Sequence, residues 1–251
     1  SLVVAACGGS DNSSSSSGSS SSSSSSAKAD KVAVLLPDTK SSVRWETADR
    51  PLLTQAFKAA GVPVEIQNAQ GDKSTQQQQA EQAITNGAKV LLLVNLDSGS
   101  GAAIEANAKS QGVKVIDYDR LTLGGSADYY VSFDNVAVGK LQGQGLVDCL
   151  KAQNANKPVV AELNGSPTDN NATLFAQGYN SVLDPMYKSG AFVKGPNQSV
   201  PDWDNQQALT LFEQILVANK NKVDAVYAAN DGIAGAVVSA LQSAGHDPVP
   251  L

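Results

Sequence analysis

Cysteine and histidine are scarce in the sequence: two cysteines, Cys7 and Cys149, and one histidine occur in 251 residues. Two distant cysteines build neither a disulfide framework nor a Cys/His cluster, so no metal site is predicted. One histidine excludes most catalytic arrangements that use imidazole as a base. The segment Gly143-Gln144-Gly145 lies inside a helical pattern and lacks the third glycine of a dinucleotide-binding loop, so no cofactor is predicted either.

Positive charge is also in short supply, with 18 Lys and Arg against 24 Asp and Glu and a net charge of −6. A phosphate-binding surface needs clustered Lys and Arg, so nucleic acid is not expected as a partner. No run of residues is long and apolar enough to predict a transmembrane helix. With 41% hydrophobic residues, the chain can bury a core in one large domain or two modest ones.

The N-terminal residues combine a cysteine with a long tract of serine and glycine. Residues 1–7 form an apolar run that ends in Ala5-Ala6-Cys7, which resembles a bacterial lipobox and implies lipidation of Cys7. The alternative is an apolar segment with an unmodified thiol. Residues 8–30 have little to bury and are expected to act as a flexible tether. One acyl chain holds a protein only marginally, so stable attachment to a membrane would need more than one.

From residue 31 onward, short apolar runs alternate with amphipathic stretches, which predicts an α/β fold with doubly wound parallel sheets. Strands are predicted at 32–36, 64–67, 90–96, 114–118, 129–133, 158–163, 191–194 and 225–229. Helices are predicted at 46–60, 75–86, 101–111, 136–152, 172–188, 205–218 and 233–244. Cys149 is expected to be a small buried side chain on the fourth helix, beside Leu146 and Leu150.

One connection departs from this alternation. The runs 114–118 and 129–133 are joined by a loop with Gly124 and Gly125, not by a helix. We interpret Asp134 as the crossing from a first lobe, residues 31–134, into a second lobe, residues 135–251. Two such lobes leave a cleft, and ligands of doubly wound sheets sit at the carboxyl ends of the strands.

Both tryptophans of the sequence, Trp45 and Trp203, fall in polar loops after strands, one in each predicted lobe. In such a loop a tryptophan is better explained as a flat apolar wall than as core. A pyranose ring suits such walls, because its C–H faces are apolar while Arg, Asp and Asn side chains bind the hydroxyls of its rim. Alternatively, the tryptophans anchor their loops to helix ends, and Asp134 and Asp231 cap the helices that follow them.

Five blocks at the predicted strand ends resemble the sequence signature of bacterial xylose-binding proteins, which have the type I periplasmic-binding fold. The blocks are Arg44-Trp45, Tyr118-Asp119-Arg120, Ser132-Phe133-Asp134-Asn135, Gly165-Ser166-Pro167-Thr168-Asp169-Asn170-Asn171 and Asn230-Asp231. The resemblance runs from about Lys31 to the end of the sequence. It implies that the two tryptophans stack on the sugar ring and that Asp119 supports Arg120. It also implies hydrogen bonds to the sugar from Arg44, Arg120, Asp169, Asn171 and Asn230.

The resemblance further implies the role of such proteins in ABC sugar importers. The protein is expected to be a monomer on the outer face of the cytoplasmic membrane, held by lipidated Cys7. Its cleft is expected to close on a free monosaccharide, D-xylose first, and to deliver it to the permease subunits. Family members continue beyond the position of Leu251 into a Gly-Gln-Asp block and a later lysine ligand. The second lobe is therefore expected to be incomplete and to bind poorly as it stands.

Three other functions compete with this expectation. The same fold serves as the sugar-sensing domain of repressors, although such a domain would follow a DNA-binding segment. The bound sugar could instead be glucose or arabinose. An enzyme would need two carboxylates poised for acid and base chemistry. Asp119 and Asp169 are the candidates, but Arg and Asn neighbours are expected to hold both in hydrogen bonds, so no enzyme is predicted.

Overall fold

The computed structural model describes residues 29–251, so Cys7 and nearly all of the predicted tether lie outside the described residues. Strands and helices alternate from Lys31 onward. A π-helical turn, Trp45–Asp49, precedes α1, and a short 3-10 turn, Pro201–Trp203, precedes α6. The elements are β1 Lys31–Leu36, α1 Arg50–Ala59, β2 Val64–Asn68, α2 Lys73–Thr85, β3 Ala88–Leu93, α3 Ser98–Ser110, β4 Lys114–Tyr118, β5 Tyr129–Val131, α4 Asn135–Ala152, β6 Val159–Asn164, α5 Asn170–Lys188, β7 Val193–Ser199, α6 Asn205–Ala218, β8 Ala225–Ala228 and α7 Asp231–Ser243.

The strands form two parallel sheets, one with the order β2-β1-β3-β4-β5 and one with the order β7-β6-β8. In β1, Val34 pairs with Ile66 of β2 on one side and Leu92 of β3 on the other. Residues 33–36 of this strand are fully buried, as expected of a central parallel strand with helices on both faces. The prediction of a doubly wound α/β fold is therefore confirmed.

The change from the first sheet to the second falls between β5 and β6, which α4 connects, and the predicted lobe boundary at Asp134 lies just before α4. The division into lobes at that residue stays a prediction. In the second sheet, the Val226 amide donates to the Pro250 carbonyl at 2.9 Å, so the last residues run beside β8. Among the described residues, no helix has both the length and the apolar character needed to cross a membrane.

Helices α4 and α5 pack so closely that glycine is required at their contact. A Cβ on Gly139 would lie 2.1 Å from the Phe175 carbonyl oxygen, and one on Gly178 would lie 2.2 Å from that of Val136. The buried side of α4 includes Leu146, Val147 and Leu150. The prediction that Cys149 is buried is wrong. Its side chain is exposed, because it lies next to the buried side of α4 and not on it.

Strand β7 differs most from its predicted range of 191–194. It runs from Val193 to Ser199 and includes Gly195 and Pro196, which normally interrupt strands. Because β7 is at the edge of its sheet, a proline there removes no central hydrogen bond and polar residues can face solvent. The apolar pattern therefore could not reveal its second half.

Candidate functional site

A cavity of about 430 Å³ lies where the carboxyl ends of the two sheets meet, and both sheets contribute to its walls. All eight residues predicted to bind the sugar line this cavity. They are Arg44, Trp45, Asp119, Arg120, Asp169, Asn171, Trp203 and Asn230. Residues far apart in sequence thus meet at one site, as the strand-end rule for doubly wound sheets requires.

The turn after β1 supplies an aromatic wall with a guanidinium group above it. Trp45 is buried, and its indole N–H donates to Ser41 Oγ at 3.0 Å. The Arg44 guanidinium carbon lies 4.2 Å from the centre of the indole ring, within the range of a cation–π contact. Arg44 also forms ion pairs with Asp49, at 3.2 Å, and with Asp119.

Arg120, after β4, is buried, and each of its three side-chain nitrogens contacts an oxygen atom of the protein. Its Nε lies 3.1 Å from Asp169 Oδ2. Its two terminal nitrogens donate to the Asn95 carbonyl oxygen and to Ser41 Oγ, each at 3.2 Å. Sequence reasoning missed Ser41 and Asn95. Ser41 comes after the predicted strand 32–36, which was the available signal, whereas Asn95 falls inside the predicted strand 90–96 and follows β3 only in the structure.

Asp119 sits in a left-handed backbone conformation, with φ of +67°, which costs a non-glycine residue free energy. Its carboxylate pairs with Arg44 and accepts from Asn171 Nδ2 at 3.0 Å. Burial raises the pKa of the Asp119 carboxyl group, and the charge of Arg44 opposes that rise.

The expectation that Asp119 supports Arg120 needs correction. Asp169 is the carboxylate that pairs with Arg120, while Asp119 pairs with Arg44. Asp119 has a left-handed backbone, and its side chain and that of the next residue, Arg120, have different partners.

The second sheet supplies the other side of the cavity through the first turns of its helices. Asp169 caps α5 by accepting from the Asn171 amide at 2.9 Å, and its Oδ2 accepts from the Trp203 indole N–H at 3.0 Å. Asn230 caps α7 at the Ile233 amide and donates to the Ser41 carbonyl oxygen at 3.3 Å. Arg120–Asp169, Asn171–Asp119 and Asn230–Ser41 are thus direct contacts between the two sides.

Helix capping, the alternative role considered for Asp134 and Asp231, is found for Asp134 alone. Asp134 accepts from the Ala137 amide at 2.9 Å and caps α4, and it does not line the cavity. Asp231 lines the cavity and is the first residue of α7, whose cap is Asn230.

Trp203 forms a second aromatic wall in the 3-10 turn before α6. Asp202 and Trp203 both have left-handed backbones, with φ of +52° and +56°. Trp203 meets Phe175 edge-on with ring centres 6.4 Å apart, and Phe175 stacks on Phe133 at 6.3 Å. These two phenylalanines also line the cavity and were missed. Phe133 lies in one of the five sequence blocks, but the resemblance implies no role for its side chain.

The cavity therefore offers flat apolar walls with planar donors and acceptors between them. Both carboxylates considered for acid and base chemistry are engaged by Arg, Asn or Trp donors. Within residues 29–251, no group of three His, Cys, Asp or Glu side chains could hold a metal ion. The arrangement suits binding of a small polyhydroxylated ring.

Comparison with known proteins gives consistent matches. A family model described as a periplasmic binding protein domain matches residues 32–251. The D-xylose-binding periplasmic protein of Escherichia coli is 36% identical over 219 residues, which are 87% of this chain and 64% of the relative. The D-xylose-binding periplasmic protein of Haemophilus influenzae is 38% identical over 215 residues, which are 86% of this chain and 63% of the relative. The chain thus spans just under two thirds of the length of these relatives.

Among solved structures, an ABC transporter solute-binding protein from Clostridium phytofermentans, with bound β-D-glucose, superposes with a TM-score of 0.80. It is 33% identical, and the match covers 88% of this chain and 71% of that one. The type I periplasmic-binding fold implied by the sequence blocks is therefore confirmed. These relatives are named as binding proteins and not as enzymes, in agreement with the prediction of a binding protein.

Proposed function

The chain belongs to the periplasmic binding protein domain family, and from that membership we propose that it captures a free monosaccharide, D-xylose first, for an ABC importer. One observation carries the proposal: Trp45, Trp203 and the planar polar groups between them line a single cavity. The names of the xylose-binding relatives support the choice of sugar.

The cavity matches a monosaccharide in size and in chemistry. Its volume of about 430 Å³ falls in the range of small-molecule sites, roughly 300–1,000 Å³. The indoles would cover the apolar C–H faces of the ring. Arg120, Asp169 and Asn171 would bind its hydroxyls, because guanidinium, carboxylate and amide groups each engage two adjacent oxygens or donors.

The same proposal assigns a transport cycle. The two lobes, residues 31–134 and 135–251, close on the sugar by bending between them, and the closed form docks on the permease subunits. Lipidated Cys7 and the tether of residues 8–30 hold the monomer on the outer face of the cytoplasmic membrane. Electrophoretic mobility and mass of the protein from cells, with and without Cys7→Ser, test the anchor.

Glucose is the second candidate ligand. The solved relative from Clostridium phytofermentans carries β-D-glucose and is 33% identical. The two sugars differ at C5, where glucose has a hydroxymethyl group and xylose has none. A cavity shaped for xylose rejects glucose by steric clash, whereas a cavity shaped for glucose leaves unfilled space with xylose.

Titration calorimetry with xylose, arabinose, ribose, glucose and galactose distinguishes these candidates. We expect xylose to bind tightest, because the clash at C5 weakens both hexoses. Tightest binding of glucose would contradict the xylose assignment, and binding of none of the five would contradict sugar capture. Incubation with xylobiose and aryl xylosides completes the test, since measurable turnover would indicate an enzyme.

A further inference from the structure

A single buried hydroxyl group, that of Ser41 in the turn after β1, joins two of the residues that line the cavity. Ser41 Oγ lies 3.0 Å from Trp45 Nε1, 3.2 Å from a terminal nitrogen of Arg120 and 2.9 Å from Asp38 Oδ2. Indole and guanidinium nitrogens only donate and a carboxylate only accepts, so the hydroxyl donates to Asp38 and accepts from both nitrogens. One donor and two acceptor positions are all that a hydroxyl has, so the three contacts use its full capacity.

The carboxylate of Asp38 determines the direction in which this hydroxyl points. Its Oδ1 accepts from the backbone amides of Lys40, at 2.8 Å, and of Ser41, at 2.6 Å, which closes the turn and directs Oδ2 at the hydroxyl. Asp38 is buried, so water competes little for the bond. The hydroxyl proton is therefore held toward Asp38, and both lone pairs of Ser41 Oγ remain for Trp45 and Arg120.

The bond to Ser41 fixes the orientation of the indole ring of Trp45. This ring is 3% exposed, and a buried N–H group without an acceptor costs free energy. Because an indole has one N–H group, the ring is stable in the orientation that points this group at Ser41 Oγ. The hydroxyl therefore sets the angle at which this wall faces the cavity.

The same hydroxyl holds one corner of the Arg120 guanidinium group. Asp169 contacts Nε of this group, the Asn95 carbonyl oxygen accepts from one terminal nitrogen, and Ser41 Oγ accepts from the other. These contacts occupy one N–H group on each nitrogen, out of five in a planar fork. Because the fork is planar, its remaining N–H groups, one on each terminal nitrogen, have fixed directions. The guanidinium carbon lies 5.8 Å from the centre of the Trp45 ring, so the wall and the fork are set side by side.

We propose that Ser41 is a positioning residue whose hydroxyl, oriented by Asp38, sets Trp45 and Arg120 in the arrangement that binds the sugar. The inference rests on the proposed function, because Trp45 and Arg120 are assigned there to the sugar. Asn230 Nδ2 contacts Ser41 from the other side of the cavity, at 3.3 Å from its carbonyl oxygen. Since that contact uses the backbone, Ser41→Ala keeps it and tests the hydroxyl alone.

Titration calorimetry with D-xylose on two variants and their combination tests this proposal. Ser41→Ala leaves two buried donors without an acceptor, so we expect about ten-fold weaker binding. Asp38→Asn replaces an acceptor by an amide donor, so three donors compete for two lone pairs, and we expect about three-fold weaker binding. Because both changes act through one hydroxyl, the double variant should bind no more weakly than Ser41→Ala. Thr39→Val removes an exposed hydroxyl from the same turn and, as the matched control, should leave the affinity unchanged.

The indole N–H resonances in nuclear magnetic resonance spectra give a readout that a loss of stability alone would not change. The chain has two tryptophans, and Trp203→Phe assigns their two signals. We expect Ser41→Ala to move the Trp45 signal upfield, because its hydrogen bond is lost. The Trp203 signal should stay in place, because that indole donates to Asp169. If Ser41→Ala does not fold, Asp38→Asn is tested by its affinity and by the same two signals.

The outcomes separate this inference from the proposed function. Unchanged affinity in Ser41→Ala, or a double variant that binds about thirty-fold more weakly than the unsubstituted protein, overturns the inference and leaves sugar capture intact. If no sugar binds to the unsubstituted protein, the proposed function fails and the indole signals decide the inference. A shift of the Trp45 signal alone supports it, and two signals that stay in place or move together overturn it.

Discussion

The indole of Trp203 can occupy its position at the cavity because residue 165 is a glycine. A Cβ on Gly165 would lie 2.0 Å from the Trp203 ring, so only glycine after β6 lets the ring settle there. The left-handed backbone at Asp202 and Trp203 costs roughly 1–3 kcal/mol at each residue. The hydrogen bond from the indole to Asp169 and the edge contact with Phe175 help to offset this cost.

Replacement of Trp203 by alanine tests its assignment as a wall for the sugar. We expect Trp203→Ala to weaken sugar binding by at least ~1 kcal/mol, because the stacking surface is lost. Calorimetric dissociation constants measure the effect. Tyr129→Ala, at an exposed aromatic residue of β5 outside the cavity, should leave them unchanged. Unchanged affinity in Trp203→Ala would remove this residue from the site.

At the scale of elements, the close contact between α4 and α5 requires glycine at one position in each helix. Both helices contribute residues to the cavity, and α5 begins after Asp169 as its cap. Gly139 and Gly178 set the distance between the helices. The position of Asp169 and Asn171 at the cavity therefore depends on two glycines in mid-helix.

Two alanine substitutions in the same helix separate packing from helix propensity. Gly139→Ala is expected to destabilise the protein by about 2 kcal/mol or more, because its Cβ collides with backbone that cannot move aside. Gly145→Ala meets nothing within 4 Å and should stabilise by about 0.5–1 kcal/mol through helix propensity. Urea unfolding midpoints measure both. Equal effects would contradict the close approach of the helices.

The sequence predicted elements well where burial is periodic and poorly where it is not. The ranges predicted for β4 and α6 match the structure, because their ends coincide with turn residues and a capping aspartate. The second half of β7 was missed because an edge strand can be polar. Cys149 was assigned to the buried face although it lies beside that face. Periodicity locates a helix more reliably than it locates the edge of its buried stripe.

The location of the site was predictable, because the ends of the strands can be located from the sequence. Strand ends are identified by the alternation of elements, so residues in the five blocks could be placed at one edge before any contact was known. Pairing was not predictable: Asp119 pairs with Arg44, and Arg120, its expected partner, pairs with Asp169. Ser41 and Phe175 belong to no block, Asn95 falls inside the predicted strand 90–96, and Phe133 lies in a block without an assigned role.

At the scale of the whole molecule, polar contacts join the two sides of the cavity directly. Asn171→Asp should separate them, because it replaces the donor to Asp119 by a second negative charge. We expect a larger radius of gyration in small-angle scattering and about ten-fold weaker sugar binding, or ~1.4 kcal/mol. Asn170→Asp makes the same charge change one residue earlier and should alter neither quantity. An unchanged radius in Asn171→Asp would show that this contact does not hold the two sides together.

The placement of both tryptophans at one cavity has a spectroscopic consequence. The chain has two tryptophans, and each lines the cleft, so tryptophan fluorescence reports on the cleft with no background from elsewhere in the chain. Trp45 lies beneath the positive charge of Arg44, and Trp203 donates to the carboxylate of Asp169. The two indoles therefore experience different local fields. Any rearrangement of the charged groups between them changes the emission without an added label.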